Sequence, residues 1–166
     1  MITLYGAGAN FGLPEVSPYV TKTEVHLRMA GLAYAKGPAQ FFSALPPAMQ
    51  DDMRRDIQGR IGESLRAVGI GRHSEDEILG LGVRSLAALS ALLGDKPFLM
   101  GARPTSVDAV AFGVLAGLMI PFFEAPIRER AMSFGNLAGY VDRMMAGVYP
   151  EFAWTPLVPA RETMAA

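Results

Sequence analysis

The residues best suited to chemistry are Ser17-Pro18-Tyr19-Val20, which follow a short apolar run and a glycine-rich loop. They open a helical pattern that closes at Gly31. Ser17 is a favourable N-cap residue, and Pro18 suits the first helical position because its missing N–H would have no partner there. The free amides of a first helical turn favour an anion, so the Ser17 hydroxyl could hydrogen-bond a thiolate. The plainer interpretation is that Ser17 only caps its helix.

Other reactive groups are few. The chain has no cysteine, which excludes disulfides, thiolate metal ligands and a cysteine nucleophile. Its two histidines, His26 and His73, are widely separated, so no metal site is expected. Glu15 lies in a predicted loop, and Glu24 is placed on the exposed face of a predicted helix with Arg28 as its partner. These two carboxylates are therefore not expected to act as a paired acid and base.

Length and charge predict a soluble globular protein of one domain or slightly more, because 166 residues with 51% apolar content can bury a real core. The 15 basic and 16 acidic residues leave a net charge of −1, so nucleic acid is not an expected partner. The first residues lack the features of a signal peptide, and a cytoplasmic location is expected. The apolar run 109–123 is shorter than the roughly 20 residues of a membrane span and is interpreted as a buried central helix.

One strand followed by helices is the predicted order of elements. Residues 1–5 are the one convincing strand, and all segments after the loop have helical periodicity. The second helix is predicted to begin at Pro46-Pro47. Its apolar residues lie along one side, at Met49, Met53, Ile57, Ile61 and Leu65. The third helix has a capping box from Ser74 to Glu77 and stops at Gly94.

Two further helix starts are predicted from capping residues. Thr105 is the expected N-cap of the apolar helix, and Asp108 at the third helical position can reach back to the amide of Thr105. Loss of such a cap predicts a destabilisation of roughly 1 kcal/mol for Asp108→Ala. Asn136 is expected to cap the last helix, and the tail from Pro150 is expected to be irregular and partly mobile.

Two segments together resemble a known family. The segment from Phe98 to Asp108 resembles the helical-domain signature of glutathione S-transferases, in which an apolar-Gly-x-x-Pro-Thr turn leads into a Thr/Ser-x-x-Asp box. Ser17-Pro18-Tyr19 occupies the place where such proteins carry their Tyr, Ser or Cys. The wider patterns from Pro18 to Glu24 and from Asn136 to Val141 are most similar to the branch that contains metaxin and failed-axon-connections-like proteins.

The resemblance implies a mainly α, glutathione S-transferase-like fold. It divides the chain into a partial thioredoxin-like β-α element at 1–34, an all-α domain at 36–150 and an irregular tail at 151–166. It also implies a homodimer and a glutathione site with Ser17 as the catalytic residue and Ser17, Pro18 and Tyr19 in contact with glutathione. The pocket for a small apolar electrophile would lie between the domains. Methionine-rich helix faces could line that pocket or simply pack in the core, at Met49, Met53 and Met144.

Much of the family's thioredoxin-like domain is missing between Tyr34 and Lys36, because such a domain needs roughly 80 residues. The second strand, the Leu-Pro turn with its cis proline and the acidic-Ser pair that holds the γ-glutamyl end would all lie there. Either the natural protein is longer than this sequence, or the chain carries an internal deletion. A lone strand cannot satisfy its own backbone, which favours the longer protein.

Three functions are compatible with these residues. In the first, the Ser17 hydroxyl lowers the pKa of glutathione sulfur, and the thiolate attacks the electrophile. In the second, the protein is a non-catalytic interaction scaffold in the manner of metaxins. In the third, it is a small helical binding domain with a vestigial strand.

Overall fold

The N-terminal part is a β-α-β unit with two parallel strands. In the computed structural model, which describes residues 2–37, 47–122 and 124–158, β1 (Ile2–Leu4) pairs with β2 (Tyr34–Lys36), and α1 (Pro18–Met29) connects them. The prediction of a lone strand was therefore wrong. Strand β2 includes the boundary between the two predicted domains, 1–34 and 36–150. Three residues are too few to show strand alternation, so only their pairing with β1 reveals β2.

The rest of the described chain is helical, which confirms the mainly α fold. The second helix, α2, spans Pro47–Ala67 and leads into a 3-10 helix at Ile70–Arg72. The remaining helices are α3 (Glu75–Leu93), α4 (Ser106–Met119), α5 (Pro126–Met132) and α6 (Gly135–Val148). The core lies where α4 and α6 meet, and its largest fully buried side chains include Phe112, Met119, Leu137, Tyr140 and Met144.

Local signals set several helix ends where the sequence predicts them. Ser74 and Glu77 form the capping box that begins α3, and Gly94 is its C-cap. Helix α1 ends in a Schellman motif, in which Gly31 N donates to Arg28 O and Leu32 N donates to Leu27 O. Gly31 has a φ of +63°, a left-handed conformation that favours glycine.

Asn136 does not cap the last helix. Helix α6 begins one residue earlier, at Gly135, with Phe134 as its N-cap. The Asn136 side chain instead serves the C-terminus of α3, because its Nδ2 donates to Ser90 O at 2.9 Å and to Gly94 O at 3.3 Å. A sequence pattern cannot reveal this role, since the two helix ends are brought together only by tertiary packing.

The central helix is buried on one side only. The apolar run 109–123 is interrupted where α4 ends at Met119, two residues before Pro121. Residue 123 lies outside the described residues. Ala109 and Phe112 are fully buried, whereas Val110 and Val114 are 45% and 55% exposed. The predicted central helix is thus buried along one face, and its other face is exposed.

The predicted tail is irregular but anchored as far as residue 158. No helix or strand occurs between Pro150 and Val158. Asp142 of α6 accepts hydrogen bonds from Trp154 Nε1 at 2.8 Å, Leu157 N at 2.9 Å and Val158 N at 3.0 Å. These bonds attach the described part of the tail to α6, and the partial mobility expected of the tail stays a prediction.

Helices α1 and α4 pack closely at Gly113. A Cβ atom added at Gly113 would lie 2.9 Å from Pro18 O and 3.5 Å from Thr21 Cβ. Pro18 O belongs to the backbone and cannot move aside without shifting α1. Glycine at position 113 therefore allows the start of α1 to pack closely against α4.

We expect Gly113→Ala to lower the free energy of unfolding by about 1–3 kcal/mol, the usual cost of overpacking. Gly117 provides the matched control, because a Cβ there meets nothing within 4 Å. Gly117→Ala should stabilise the protein by about 0.5–1 kcal/mol through helix propensity. Chemical denaturation of both variants measures the difference, and equal effects would contradict the close packing at Gly113.

Candidate functional site

Ser17 occupies the N-cap of α1. Its Oγ accepts a hydrogen bond from Val20 N at 3.4 Å, and its own backbone N–H donates to Glu15 Oε1 at 2.9 Å. Pro18 is exposed, and the Tyr19 side chain is 79% exposed. The first turn thus has the geometry of an ordinary capped helix, with the Ser17 hydroxyl proton available to a further acceptor.

The carboxylate of Glu15 lies beside this helix start and accepts amides of the loop and of the N-cap residue. Glu15 is 3% exposed, and it accepts hydrogen bonds from Ala7 N at 3.1 Å, Gly8 N at 3.0 Å and Ser17 N at 2.9 Å. Gly6 makes room for it, because a Cβ there would lie 2.3 Å from Glu15 Oε2. The sequence shows Glu15 only as a loop residue, and its role depends on the way the loop folds back.

Glu24 is fully buried, so its prediction as an exposed residue was wrong. Its Oε1 accepts from Tyr34 Oη at 2.6 Å and from Arg28 Nη2 at 3.5 Å, and its Oε2 forms an ion pair with Lys36 Nζ at 3.0 Å. The predicted Glu24–Arg28 pair exists, but it lies under β2. The short β2 covers this helix face, which a helical pattern alone assigns to solvent.

Arg28 links α1 to the end of α6. Its guanidinium donates to Tyr34 Oη at 2.8 Å, Val148 O at 2.8 Å and Glu151 Oε1 at 2.6 Å, and it lies 4.4 Å from the centre of the Tyr149 ring. Burial alone would lower the pKa of Arg28, but its hydrogen bonds to Glu151 and Tyr34 outweigh this and raise it. The hydrogen bond between Arg28 and Glu151 also lowers the pKa of Glu151.

Two tyrosines complete this buried polar cluster. Burial, followed by the neighbouring Glu24 carboxylate, raises the pKa of Tyr149 and of Tyr34. Both side chains are therefore neutral at physiological pH. The cluster holds the β-α-β unit against α6, and each of its charged groups has an opposite charge as partner.

A groove at the C-terminal end of α1, here called the arginine groove, has a volume of about 660 Å³. Arg28, Arg103 and Arg143 line it, and none of the acidic residues that the structure describes does. Its remaining lining is largely apolar and includes Met29, Leu32, Phe98, Met144 and Val148. Arg28 is about 16 Å along the helix from Ser17, at 1.5 Å per residue. The structure therefore does not bring Ser17, Pro18 or Tyr19 to this groove.

The methionines predicted to line a cleft or the core have different environments. Met144 is 1% exposed and lies at the floor of the arginine groove. Met49 and Met53 are 55% and 39% exposed on α2. The three residues therefore do not form a common pocket.

Thr105 and Asp108 lie at the start of α4. Asp108 is fully buried, and its Oδ2 accepts from Thr105 N at 2.7 Å and from Thr105 Oγ1 at 2.9 Å. Its Oδ1 accepts from Leu99 N at 2.9 Å and from Tyr140 Oη at 3.2 Å. This carboxylate therefore joins the preceding turn, the start of α4 and α6.

In the part of the chain that the structure describes, no group of three histidine or acidic side chains could hold a metal ion. No helix within the same residues is both long enough and apolar enough to cross a membrane.

Comparison with known proteins supports the resemblance seen in the sequence. Residues 82–144, from α3 through most of α6, match the family model of the glutathione S-transferase C-terminal domain. Failed axon connections of Drosophila melanogaster is 39% identical over 102 residues, which are 60% of this chain and 24% of that protein. No solved structure gives a significant match.

Two metaxin sequences are also similar. The metaxin-1 homolog of Caenorhabditis briggsae is 33% identical over 95 residues, which are 57% of this chain and 30% of that protein. Human metaxin-2 is 24% identical over 107 residues, which are 64% of this chain and 41% of that protein. The chain thus spans less than half the length of each of these relatives.

These matches define the class of the protein. Residues 82–144 are similar to the C-terminal domain of glutathione S-transferases, which confirms the predicted resemblance. Over about 60% of its length the chain is also similar to failed axon connections and to metaxins.

Proposed function

We propose that this chain is a non-catalytic, glutathione S-transferase-like binding module whose arginine groove receives an acidic, partly apolar segment of another protein. One observation carries the proposal: at the opposite end of α1 from Ser17, the groove combines apolar side chains with Arg103 and Arg143, which have no acidic partner among the described residues. Arg28 also lines the groove, but its charge is already paired with Glu24 and Glu151. Such a groove offers charge for carboxylates and apolar contacts for anchoring side chains.

Within this proposal, the N-terminus of α1 is structural. A glutathione thiolate beside Ser17 would meet the negative charge of Glu15, which already accepts the loop amides of Ala7 and Gly8. A neighbouring like charge disfavours the thiolate and raises the pKa of a thiol. Glutathione conjugation through Ser17, with Pro18 and Tyr19 as further contacts, is the competing function. It is supported by the hydroxyl proton that Ser17 retains.

The oligomeric state and the cellular location of the protein belong to the same proposal. The homodimer and the cytoplasmic location expected from the sequence are compatible with a module that binds protein segments. The metaxin-like scaffold that the resemblance implies is the nearest functional parallel, and it requires no chemistry at Ser17.

A peptide-binding experiment tests the groove. A fluorescent peptide with alternating acidic and leucine residues should bind the full chain saturably, while a peptide with lysines in place of the acids should not. Arg143→Glu should weaken binding by at least tenfold, which is about 1.4 kcal/mol. Arg130→Glu is the matched control, because Arg130 is exposed on α5 outside the groove. Equal affinities of the two variants would contradict the assignment of the groove.

A glutathione titration tests the competing function. We expect no saturable heat on adding millimolar glutathione and no conjugation of an aryl halide. Saturable binding that Ser17→Ala abolishes and Ser106→Ala leaves intact would overturn the non-catalytic role. The same glutathione titration of Glu15→Gln provides an additional measurement, because this variant lacks the negative charge that opposes the thiolate. Circular dichroism of each variant checks that the fold is retained.

A further inference from the structure

A small cavity lies where the loop before α1, the end of α4, helix α5 and the tail meet. This Arg128 cavity has a volume of about 290 Å³ and is lined mainly by Phe11, Ile120, Arg128, Met132, Trp154 and Leu157. Its lining is mostly apolar, and Arg128 is the one charged residue among the described residues that form it. The Arg128 cavity and the arginine groove share no lining residue, so the two sites are separate.

Arg128 of α5 is half-buried, and most of its hydrogen-bonding capacity is unused. Its Nε donates to Met119 O at 3.2 Å and to Ile120 O at 3.0 Å, which are carbonyl groups at the C-terminal end of α4. These two bonds orient the guanidinium. Its Nη1 and Nη2 carry four further N–H groups, and neither nitrogen donates to an acceptor within the described residues. A role as helix cap therefore uses one of the five N–H groups.

The wall formed by Phe11 has an unusual backbone conformation. Phe11 has a φ of +52°, and among the residues that the structure describes it is the one non-glycine residue with a positive φ. Mutual backbone bonds between Asn10 and Leu13, at 3.0 Å and 2.8 Å, hold this turn, and the Phe11 ring lies 4.2 Å from that of Phe122. A left-handed conformation is costly for a bulky residue and is common at ligand sites, where the surroundings impose it.

A second wall is the tail, which Asp142 fixes. The Asp142 carboxylate accepts hydrogen bonds from Trp154 Nε1 and from the amides of Leu157 and Val158. The indole N–H of Trp154 is thereby satisfied, and its ring contributes apolar area to the cavity. Both walls are held by bonds within the chain, so little ordering is required when a ligand binds.

We propose that the Arg128 cavity binds a small apolar carboxylate. The Nη groups of Arg128 donate to the carboxylate, and the hydrocarbon body packs against Phe11, Met132 and Trp154. A planar guanidinium binds a carboxylate through two parallel hydrogen bonds, and aromatic rings with a methionine accommodate a flat or flexible apolar body. The volume is at the small end of ligand pockets and fits about a dozen non-hydrogen atoms, so the ligand is a free small molecule.

The charge of the cavity favours a carboxylate over a phosphate. One arginine balances a single negative charge, whereas a phosphate monoester carries about −1.5 to −2 at neutral pH. None of the acidic residues that the structure describes lines the cavity, so no lining carboxylate opposes the ligand. The single arginine therefore matches the charge of one carboxylate.

Trp154 provides a direct signal, because it is the one tryptophan of the chain and it lines the cavity. Phenylbutyrate should change the tryptophan fluorescence saturably. Phenylbutanol and phenylbutylamine have the same hydrocarbon body without the negative charge, and they should bind at least tenfold more weakly. No saturable change with phenylbutyrate, or equal affinities for the three compounds, would overturn the proposal.

Substitutions of single arginines locate the binding site. Arg128→Gln should weaken phenylbutyrate binding by at least tenfold, because it removes the charge and most of the N–H groups. The matched control is Arg130→Gln, since Arg130 is exposed on the same helix outside the cavity, and it should keep full affinity. Arg143→Gln, in the arginine groove, should also keep full affinity. A loss in Arg143→Gln, or equal affinities of Arg128→Gln and Arg130→Gln, would contradict the assignment.

Circular dichroism checks that each variant is folded, because Arg128 also bonds the end of α4. If Arg128→Gln fails to fold, the comparison of phenylbutyrate with phenylbutanol decides, since it uses the unsubstituted chain. The outcome is independent of the proposed peptide binding, because the two sites have no residue in common.

Discussion

Asp108→Ala should lower the free energy of unfolding by about 3 kcal/mol, well above the roughly 1 kcal/mol of a lost helix cap. The side chain is fully buried and accepts hydrogen bonds from Thr105 N, Thr105 Oγ1, Leu99 N and Tyr140 Oη. Alanine leaves the amide of Leu99, itself 1% exposed, without an acceptor. Urea denaturation followed by circular dichroism measures the loss.

Two milder variants identify which bonds carry the effect of Asp108. Tyr140→Phe removes only the hydroxyl, which also donates to Asp108 O at 3.1 Å, and should cost about 1 kcal/mol. Asp108→Asn keeps an oxygen for Leu99 N and should cost less than the alanine variant. A loss of 1 kcal/mol or less in Asp108→Ala would mean that Asp108 acts only as a cap.

Arg28→Met is the second substitution with a large expected effect, a loss of about 3 kcal/mol. Methionine fills much of the same space but removes the bonds to Val148 O, Tyr34 Oη and Glu151. It also leaves the buried carboxylate of Glu24 with one cation fewer, and breaking a buried pair commonly costs 3–5 kcal/mol. Lys36 still neutralises Glu24, so we expect the lower end of that range.

Glu151→Gln is the control for Arg28→Met. The Glu151 side chain is 60% exposed, and an exposed ion pair contributes at most about 1 kcal/mol. Denaturation of the two variants under the same conditions should therefore give clearly different losses. Similar small losses would show that Arg28 acts only through its surface pair and that the buried cluster does not hold α1 against α6.

The candidate site illustrates why some features could be predicted from sequence and others could not. Ser17 could be predicted as a helix cap because its role depends on residues within three positions. The carboxylate of Glu15 accepts the amides of residues 7 and 8 only because the loop brings those residues together with Glu15. Glu24 was assigned to solvent because the helical pattern did not include β2, which covers it.

By itself, the sequence determined the helical class of the protein and several of its helix ends. The capping box at Ser74 and Glu77, the stop at Gly94 and the resemblance around Phe98 to Asp108 are local signals, carried by neighbouring residues. Only the tertiary structure decided that β2 pairs with β1, that Asn136 serves the end of α3 and that Ile61 and Leu65 of α2 are exposed. Burial and distant hydrogen bonds depend on which elements meet in space, and residue spacing along one element does not encode that.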